Sequence, residues 1–406
     1  MITTINNKHN KLNVPNLRFK EFQGEWEELG LSELLDFKNG LNPKPDKFGK
    51  GIKFISVMDI LNNAVITYDC IKASVDVTEK ELSDFSVEKG DILFQRSSET
   101  LEDVGRANVY MDDKTAVFGG FVIRGKKKGE YDPQYFNYLL RSPFARKRII
   151  PMGAGAQHFN IGQEGLSKVK LHFANIEEQK KIGKMLSLLD ERIATQNKII
   201  DKLQSLIKGI CNNYFEKLSV QEKANLIRLS DVLKERNEYS SKDGKFIHGT
   251  LSKDGIFPKT GRWDRDFLVK QEDKKYKVTH LDDICYNPAN LKFGVICRNT
   301  FGDLIFSPIY VTFEVCKNVN IGFMELYLTN HNFIEKVRRF EQGTVYERMA
   351  VSPEDFLSYK IRIPSYSDQT FFYKKVQWLI TLSQNEMKLL SQYKKLRQYL
   401  LRQMFI

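Results

Sequence analysis

Several residue groups in this sequence are of types that could support chemistry, and the first is a glycine-containing stretch. Gly120–Lys127 imitates a phosphate-binding loop, in which backbone N–H groups hold the phosphates of a nucleotide. The stretch lacks the final Ser or Thr that would hold magnesium, and its middle is typical of a strand. We therefore interpret it as a strand and a turn.

Two further groups have only part of a catalytic pattern. The segment Tyr286-Asn287-Pro288-Ala289-Asn290 is similar to the loop of amino-group DNA methyltransferases, but Ala289 and Asn290 replace the second proline and the aromatic residue. Asp266, Glu272 and Lys274 are the residue types of a metal-dependent nuclease site, yet such a scatter is common in a chain that is 28% charged. The six histidines form no metal-binding spacing. The sequence makes no case for catalysis.

The composition instead indicates a binding protein. The 406 residues are enough for two or three domains. The formal net charge of +12 and the pI of about 9.2 favour a polyanionic partner, because binding it releases counterions. The five scattered cysteines contain no C-x-x-C pair. No signal-peptide core and no run of 18 apolar residues occurs, so we expect a soluble cytoplasmic protein.

Two long helical segments begin 190 residues apart. Asn175 and Ser365 are candidate N-caps, with Glu178 and Asp368 at the capping-box spacing. Apolar residues then recur every 3.5 residues, the spacing of a supercoiled seam. The predicted seam positions are Leu189, Ile193, Gln196, Ile200, Leu203 and Ile207 in the first helix, and Glu386, Leu390, Tyr393 and Leu400 in the second. The wider apolar stripes beside them indicate that other helices also dock there.

The segments before these helices also correspond. Leu31–Leu35 is repeated as Leu229–Leu233, and Lys89–Phe94 as Leu281–Tyr286. Each half is predicted to be a mixed domain followed by a helix of about 37 residues, which at 1.5 Å per residue spans about 55 Å. The fold class is therefore α+β: two similar domains alternate with two long helices that pair as an antiparallel coiled coil. The predicted parts are residues 1–20, an N-terminal extension; 21–174, the first domain; 175–217, the central helix; 218–364, the second domain; and 365–406, the C-terminal helix.

This organisation resembles the DNA specificity subunit of type I restriction–modification enzymes, and local sequences add to the likeness. They are Val14–Phe19 followed by Trp26, Glu88–Leu93, the turn Gly153–Gln157 before Asn160, and the group Asn175, Glu178, Gln179 and Ile182. No single motif is diagnostic, but their order and duplication are. The second copy departs at Asp282-Asp283, which stands where the first has Gly90-Asp91.

The resemblance implies a function and a set of partners. Each domain would be a target-recognition domain that reads one half of a split site in double-stranded DNA, and the paired helices would set the distance between the halves. Two methyltransferase subunits would dock on the helices, and restriction/translocase subunits would join that core. No cofactor is expected on this chain, whereas S-adenosylmethionine, ATP and Mg²⁺ are expected on the partners.

Candidate DNA-binding residues in the first domain follow from the chemistry of base and phosphate contacts. One loop carries an Arg that could bond guanine, together with Gln and Ser, which can donate or accept. A glycine turn carries Gln and Asn, which can bond adenine. A basic Pro/Gly loop and a basic helix would contact phosphates. These residues are Gln95, Arg96, Ser97 and Ser98; Gly155, Gln157, His158 and Asn160; Lys44, Lys47 and Lys50; and Arg141, Arg146 and Arg148.

The second domain offers counterparts of the same kinds. They are Asn287, Asn290 and Lys292; Thr344, Tyr346 and Arg348; Arg338 and Arg339; and a basic loop with an aromatic residue formed by Lys259, Arg262, Trp263 and Arg265.

Two other functions remain open at this point. An enzyme of another class would need an acid or metal cluster, of which only weak imitations occur. A coiled-coil scaffold that binds protein would explain the helices but not the duplicated basic loops.

Overall fold

The computed structural model describes residues 2–4, 13–222, 224–241, 246–253, 255–259, 275–341 and 350–406. The chain forms two compact units. Unit 1 comprises Met1–Lys198 and Lys388–Ile406, and unit 2 comprises Ile199–Met387. Each unit thus contains one predicted domain and part of both long helices.

The strands of unit 1 form small sheets. They are Ile2–Thr4, Leu17–Phe19, Glu27–Gly30, Leu35–Asn39, Phe48–Ile55, Ser74–Val75, Ser86–Val87, Ile92–Gln95, Ser97–Ser98, Ala107–Val109, Ala116–Phe118, Val122–Lys127, Phe159–Asn160 and Lys170–Phe173. Its α-helices before the central one are Leu31–Leu34, Val57–Asn62, Glu79–Phe85, Pro133–Arg141, Pro143–Ile149 and Gln163–Ser167. Its 3-10 turns are Pro45–Lys47, Tyr68–Cys70, Leu101–Asp103 and Ile150–Met152.

Unit 2 is built from the same kinds of element. Its strands are Asn225–Arg228, Leu233–Glu235, Tyr239–Ser240, Ile247–Ser252, Gly255–Pro258, Tyr276–Thr279, Ile284–Tyr286, Ile296–Arg298, Leu304–Phe306, Val311–Val315 and Lys360–Ile363. Its short α-helices are Ile321–Leu328, His331–Val337 and Pro353–Ser358, and its 3-10 turns are Leu229–Asp231, Pro288–Phe293 and Arg338–Phe340.

The sheets confirm the duplication read from the sequence. In unit 1 a four-stranded antiparallel sheet has strands in the spatial order 107–109, 92–95, 122–127, 35–39. In unit 2 the corresponding strands follow the same order: 296–298, 284–286, 311–315, 233–235. A second sheet in each unit contains a parallel pair, 48–55 with 116–118 and 247–252 with 304–306.

The turn before the central strand of each sheet is also duplicated, despite the departure in sequence. Gly90 has a φ of 96°, and Asp282, which replaces it, has a φ of 74°. Aspartate is among the few residues that adopt this left-handed conformation readily, because its short polar side chain can bond locally. The two turns therefore share a backbone conformation with different residues.

Both long helices begin where the sequence predicts. The central helix runs over Ile176–Val220 and the C-terminal helix over Tyr366–Gln403. The Asn175 Oδ1 atom accepts a hydrogen bond from Glu178 N at 2.9 Å, and the Ser365 Oγ atom accepts one from Asp368 N at 3.2 Å. At 45 residues the central helix is longer than expected, since it continues past the predicted end at residue 217.

The predicted seam is the inward face of both helices. Every predicted seam residue is buried or partly buried, whereas most residues between them are exposed. In unit 1 the two helices are antiparallel: Asp190 pairs with Arg397 at 2.6 Å, and Arg192 Nε lies 3.3 Å from Tyr393 Oη. In unit 2 the rings of Tyr214 and Phe372 stack at 3.8 Å between centroids.

A buried glutamine near the start of each long helix binds the domain before it. The Gln179 side-chain oxygen accepts from Asp132 N at 2.9 Å, and its nitrogen donates to Ala174 O at 2.8 Å. Gln369 makes the same pair of bonds, to Asn320 N at 2.8 Å and Pro364 O at 2.9 Å. Asp132 and Asn320 are themselves the N-caps of the helices Pro133–Arg141 and Ile321–Leu328. The same pair of glutamine hydrogen bonds therefore joins the domain and the long helix in both units.

The packing between the long helix and the domain, next to each buried glutamine, also uses a glycine in both units. At Gly183 a Cβ atom would lie 2.9 Å from Tyr135 N and 3.4 Å from Gln134 Cβ, so the central helix and the domain helix Pro133–Arg141 are in close contact here. The corresponding residue of unit 2 is Tyr373, and it packs on Gly322, where a Cβ atom would lie 2.1 Å from the tyrosine ring. The glycine is on the long helix in one copy and on the domain in the other.

Unit 1 has one further anchor, a buried ion pair. Arg18 donates to both carboxylate oxygens of Glu178 at 2.8 Å, and Trp26 Nε1 lies 3.3 Å from the same carboxylate. Arg18 is 4% exposed and Glu178 is fully buried. The partner of Glu178 under the repeat is Asp368, which bonds the exposed Ser365 instead. The N-terminal segment is thereby attached to the central helix.

Replacing Arg18 by Met is expected to destabilise the chain by about 3–5 kcal/mol, because it leaves a buried carboxylate without its counter-ion. The double variant Arg18→Met with Glu178→Leu should regain much of that loss, since no unpaired charge remains. Urea unfolding of the full chain measures both. The matched control is Lys180→Gln, which breaks the exposed Lys180–Glu177 pair on the same helix and should leave the midpoint unchanged. Equal destabilisation by Arg18→Met and Lys180→Gln would contradict the anchor.

Candidate nucleic-acid interface

Two separate loops predicted to read DNA in the first domain meet in the structure. Ser97–Ser98 and Phe159–Asn160 form a two-stranded antiparallel ladder. Ser97 Oγ donates to Asn160 Oδ1, and Ile161 N donates to Arg96 O at 2.9 Å. Hydroxyl, amide and guanidinium groups are thus presented side by side, and these are groups that bond base edges.

The glycine turn makes the exposed tip of this ladder. Ala154 and Asn160 exchange both backbone hydrogen bonds, at 2.9 and 2.8 Å, so residues 155–158 project as a closed loop. Gly155 has a φ of 142°, and a Cβ atom there would lie 2.0 Å from His158 O. Only glycine fits this position. Gln157 and His158 are exposed at the tip.

A third turn joins this surface, and the sequence did not reveal it. Arg96 N donates to Phe121 O at 2.9 Å, and Arg96 Nη1 lies 3.3 Å from Gly120 O. Phe121, at the tip of the turn between two strands, is 69% exposed. An apolar residue next to a strand pattern is normally read as core, so sequence reasoning did not find it. We define Arg96, Ser97, Phe121, Gln157 and Asn160 as the reading surface of unit 1.

Gln95 differs in placement from the prediction. It is 5% exposed, and its side-chain nitrogen donates to Ser97 O at 2.9 Å. In this conformation it supports the reading surface from beneath and does not reach outward. Ser98 is partly exposed and accepts a bond from Thr100 N at 3.2 Å.

The basic Pro/Gly loop begins beside the reading surface. Leu41 N donates to Phe118 O at 2.9 Å, and Lys44 is exposed three residues later. Lys47 and Lys50 are also exposed, and both lie 3.5 Å from a carboxylate oxygen of Asp76. Two lysines that share one acid retain a net positive charge, as phosphate contact needs.

The predicted basic helix is largely occupied by internal contacts. Arg148 donates to Glu28 at 3.1 Å and to Lys170 O at 2.7 Å. Arg146 bonds three backbone carbonyls, and Arg141 is partly buried beside Asn63. Burial first, and neighbouring arginines second, lower the pKa of both Arg141 and Arg146 to about 10. These two face a cavity and do not form an exposed phosphate-binding row.

Unit 2 places its candidate loop in the same way. Asn287 is buried and caps the 3-10 turn Pro288–Phe293 through Ala289 N at 3.1 Å. Val351 N lies 3.3 Å from Pro288 O, the counterpart of the bond between Ile161 and Arg96. Asn290 is partly exposed and Lys292 is exposed. The segment that sequence reading took for a turn after a strand is confirmed as one.

The apolar tip is duplicated as well. Ile309 occupies the position of Phe121 in the corresponding turn of unit 2, and it is 61% exposed. Phe293, at the end of the 3-10 turn, is 66% exposed with Lys292 Nζ 5.2 Å above its ring. A large apolar side chain is therefore exposed at the corresponding turn in both copies.

The remaining candidates of unit 2 are partly described. Lys259 is partly exposed, and its N–H bonds His248 O at 2.8 Å. Arg338 pairs with Glu335 and Glu341, whose hydrogen bonds raise its pKa. Arg339 is exposed. Six predicted residues lie outside the described residues: Arg262, Trp263, Arg265, Thr344, Tyr346 and Arg348.

The weak catalytic patterns in the sequence can be compared with the described residues. No group of three or more His, Cys, Asp or Glu that could hold a metal occurs among them. Residues 122–127 of the phosphate-loop imitation form a strand, as predicted. The acid–acid–lysine set of Asp266, Glu272 and Lys274 lies outside the described residues. Across the described helices none is long and apolar enough to cross a membrane.

Known proteins share both the sequence pattern and the fold. Residues 23–205 match the model of the type I restriction modification DNA specificity domain. The chain is 28% identical over 202 residues to a putative type I restriction enzyme MjaX specificity subunit of Methanocaldococcus jannaschii, covering 48% of this chain and 47% of that protein. It is 25% identical over 138 residues to the EcoKI specificity subunit of Escherichia coli K12, covering 34% and 28%. The matches span half or less of these relatives.

Solved structures match over nearly the whole chain. The type I restriction–modification S subunit from M. genitalium is 18% identical, with a TM-score of 0.60 over 97% of this chain and 99% of that one. A structure described as showing complex assembly and conformational transition of the type I R-M system is 12% identical, with a TM-score of 0.55 over 93% and 96%. The resemblance is therefore confirmed: residues 23–205 match the type I restriction modification DNA specificity domain, and the chain as a whole shares its fold with these solved structures.

Proposed function

We propose that this chain is the DNA-reading subunit of a type I restriction–modification enzyme. Unit 1 and unit 2 each read one half of a bipartite site in double-stranded DNA. The observation that carries this proposal is the duplicated loop arrangement. In each unit a backbone bond ties a polar loop to a distant segment, Ile161 to Arg96 and Val351 to Pro288, and a large apolar side chain is exposed at a neighbouring turn. A protein that read one uninterrupted site would not need the same arrangement twice.

The chain itself has no catalytic role in this proposal. Methylation and cleavage take place on partners: two methyltransferase subunits and the restriction/translocase subunits, which carry S-adenosylmethionine, ATP and Mg²⁺. Exposed apolar residues on the long helices support docking of the methyltransferase. Leu188 and Trp378, which correspond under the repeat, are 53% and 66% exposed. The complex would act in the cytoplasm, where its DNA lies.

The apolar tips take part in reading. Phe121 and Ile309 are large and exposed. Each lies one or two residues before a strand that pairs with the strand leading into a polar loop, so DNA bound at the loops would cover them. Apolar side chains contact the methyl group of thymine in the major groove, or enter between base steps in the minor groove. Either contact depends on sequence, and we assign these two residues to specificity.

A substitution in the candidate loop of one unit should alter only one half of the preferred DNA site. Selection of bound duplexes from a random pool by the assembled complex gives the preferred site. Gln157→Ala should remove information from one half only, and Asn290→Ala from the other, because each lost base contact costs about 1–3 kcal/mol. The control is Asn197→Ala, an exposed amide on the central helix, which should leave the site intact. If the wild-type complex selects no sequence, or if one variant changes both halves, the proposal is wrong.

Truncating the tips should weaken specific binding. Phe121→Ala is expected to lower affinity for one half-site about tenfold, equivalent to about 1.4 kcal/mol and within the cost of a mismatched base. Ile309→Ala should act on the other half, and if Ile309 contacts a thymine methyl group, replacing that thymine by uracil should lower the affinity of the wild type by a similar amount. Fluorescence anisotropy with the selected duplex measures these changes. Phe144→Ala, an exposed phenylalanine on a helix of unit 1, is the control. If Phe121→Ala and Ile309→Ala lose no more affinity than Phe144→Ala, the two apolar residues do not contribute to DNA recognition.

A further inference from the structure

Unit 1 contains a cavity lined by four arginines. Its volume is about 510 Å³, and its wall includes Arg106, Arg141, Arg146, Arg397 and Glu102. Arg397 comes from the C-terminal helix, and the others come from the recognition domain. The lining shares no residue with the reading surface of unit 1.

Two of these arginines have carboxylate partners. Arg106 lies 2.5 Å from Asp103, and Arg397 lies 2.6 Å from Asp190. Tyr138 also donates to Asp190 at 2.9 Å. Each of these acids thus neutralises one guanidinium group at the edge of the cavity.

The other two arginines have no carboxylate within 4 Å among the residues that the structure describes. Arg146 donates to Gly105 O at 2.8 Å, Glu102 O at 2.9 Å and Val104 O at 2.6 Å. Those carbonyls orient the guanidinium group but carry no full negative charge. Arg141 donates one hydrogen bond of 3.3 Å, to Asn63 O, and the four other N–H groups of an arginine remain for another acceptor.

The charges do not balance. Four guanidinium groups face three carboxylates, those of Asp103, Asp190 and Glu102. Burial and the neighbouring Arg397 lower the pKa of Arg141 to about 10, which records the cost of its charge at this place. The group nevertheless stays protonated at neutral pH. A partly buried cation without a counter-ion is stabilised strongly by any anion that enters.

We propose that this cavity is a binding site for a phosphate group. Arginine forks match the geometry of phosphate oxygens and bond them in pairs, and a tetrahedral dianion can accept from several guanidinium groups at once. The volume exceeds that of one phosphate, so the phosphate can be part of a larger molecule. A bound phosphate would join the helix Pro133–Arg141 to the C-terminal helix within unit 1. Phosphate binding at this site does not require that the chain recognise a particular DNA sequence.

Inorganic phosphate is the first probe. It is titrated calorimetrically into the full chain at pH 7.5, with sodium chloride adjusted to hold ionic strength constant. One saturable site per chain is expected, together with a rise in the melting temperature that follows phosphate and not chloride. Heat of dilution alone, with an unchanged melting temperature, would overturn the proposal.

Variants locate the site. Arg141→Gln and Arg397→Gln, on two different elements, should each weaken phosphate binding about tenfold or more, as expected for a lost charge-assisted hydrogen bond. Lys147→Gln removes the same charge from an exposed position near Arg141 and should bind like the wild type. Circular dichroism checks that each variant is folded. If Lys147→Gln weakens binding as much as the two arginine variants, the phosphate is an adventitious ion only.

The source of the phosphate is found by competition. A short duplex of arbitrary sequence is added to the phosphate-loaded chain at constant ionic strength. If the duplex displaces phosphate and Arg141→Gln weakens its binding, the site takes a backbone phosphodiester. If the duplex and phosphate bind together, the site takes a free phosphorylated molecule. Both results retain the phosphate site, and neither depends on whether the chain recognises a particular sequence.

Discussion

The buried amides of Gln179 and Gln369 bind each domain to its long helix. Each amide accepts from the N-cap residue of a domain helix and donates to the residue two positions before the long helix. Both side chains are almost completely buried, where an unmade hydrogen bond is costly. These two amides therefore help to orient each domain on its helix, together with the packing at Gly183 and Tyr373, and the loops take their positions from that orientation.

The two copies keep this frame while they vary what surrounds it. In unit 1 the glycine Gly183 is on the long helix, whereas in unit 2 the long helix has Tyr373 and the glycine is on the domain helix that faces it. Gly90 and Asp282 share a left-handed backbone. The sheets retain their strand order, whereas the loops at their ends differ in length and residue type. The loops can therefore change without loss of the fold.

Much of this frame could be predicted from the sequence because it rests on periodic patterns. The 3.5-residue spacing predicted the inward face of both helices, and the caps at Asn175 and Ser365 predicted where they begin. The domain repeat came from short matching blocks. The candidate loops could be placed next to strands, but their meeting at Ser97 and Asn160 depends on long-range pairing that no local pattern encodes.

Other features of the site were beyond sequence reasoning for physical reasons. Phe121 and Ile309 look like core residues, because an apolar residue between strands is usually buried. Arg141 and Arg146 look like a solvated basic face, yet both turn towards a cavity where carbonyls and other arginines surround them. Gln95 is buried beneath the loop in which its polarity suggested contact with DNA. In each case burial depends on residues far away in the chain.

The central claim is that two units of one chain read two halves of a split site. Methylome sequencing of a host that expresses this chain with its methyltransferase subunit tests it most directly, against a host that expresses the methyltransferase subunit alone. The account predicts a methylated-adenine motif of two short defined blocks separated by a spacer of unspecified sequence, present only with the chain. A single uninterrupted motif, or no new motif although the two subunits co-purify, would contradict it.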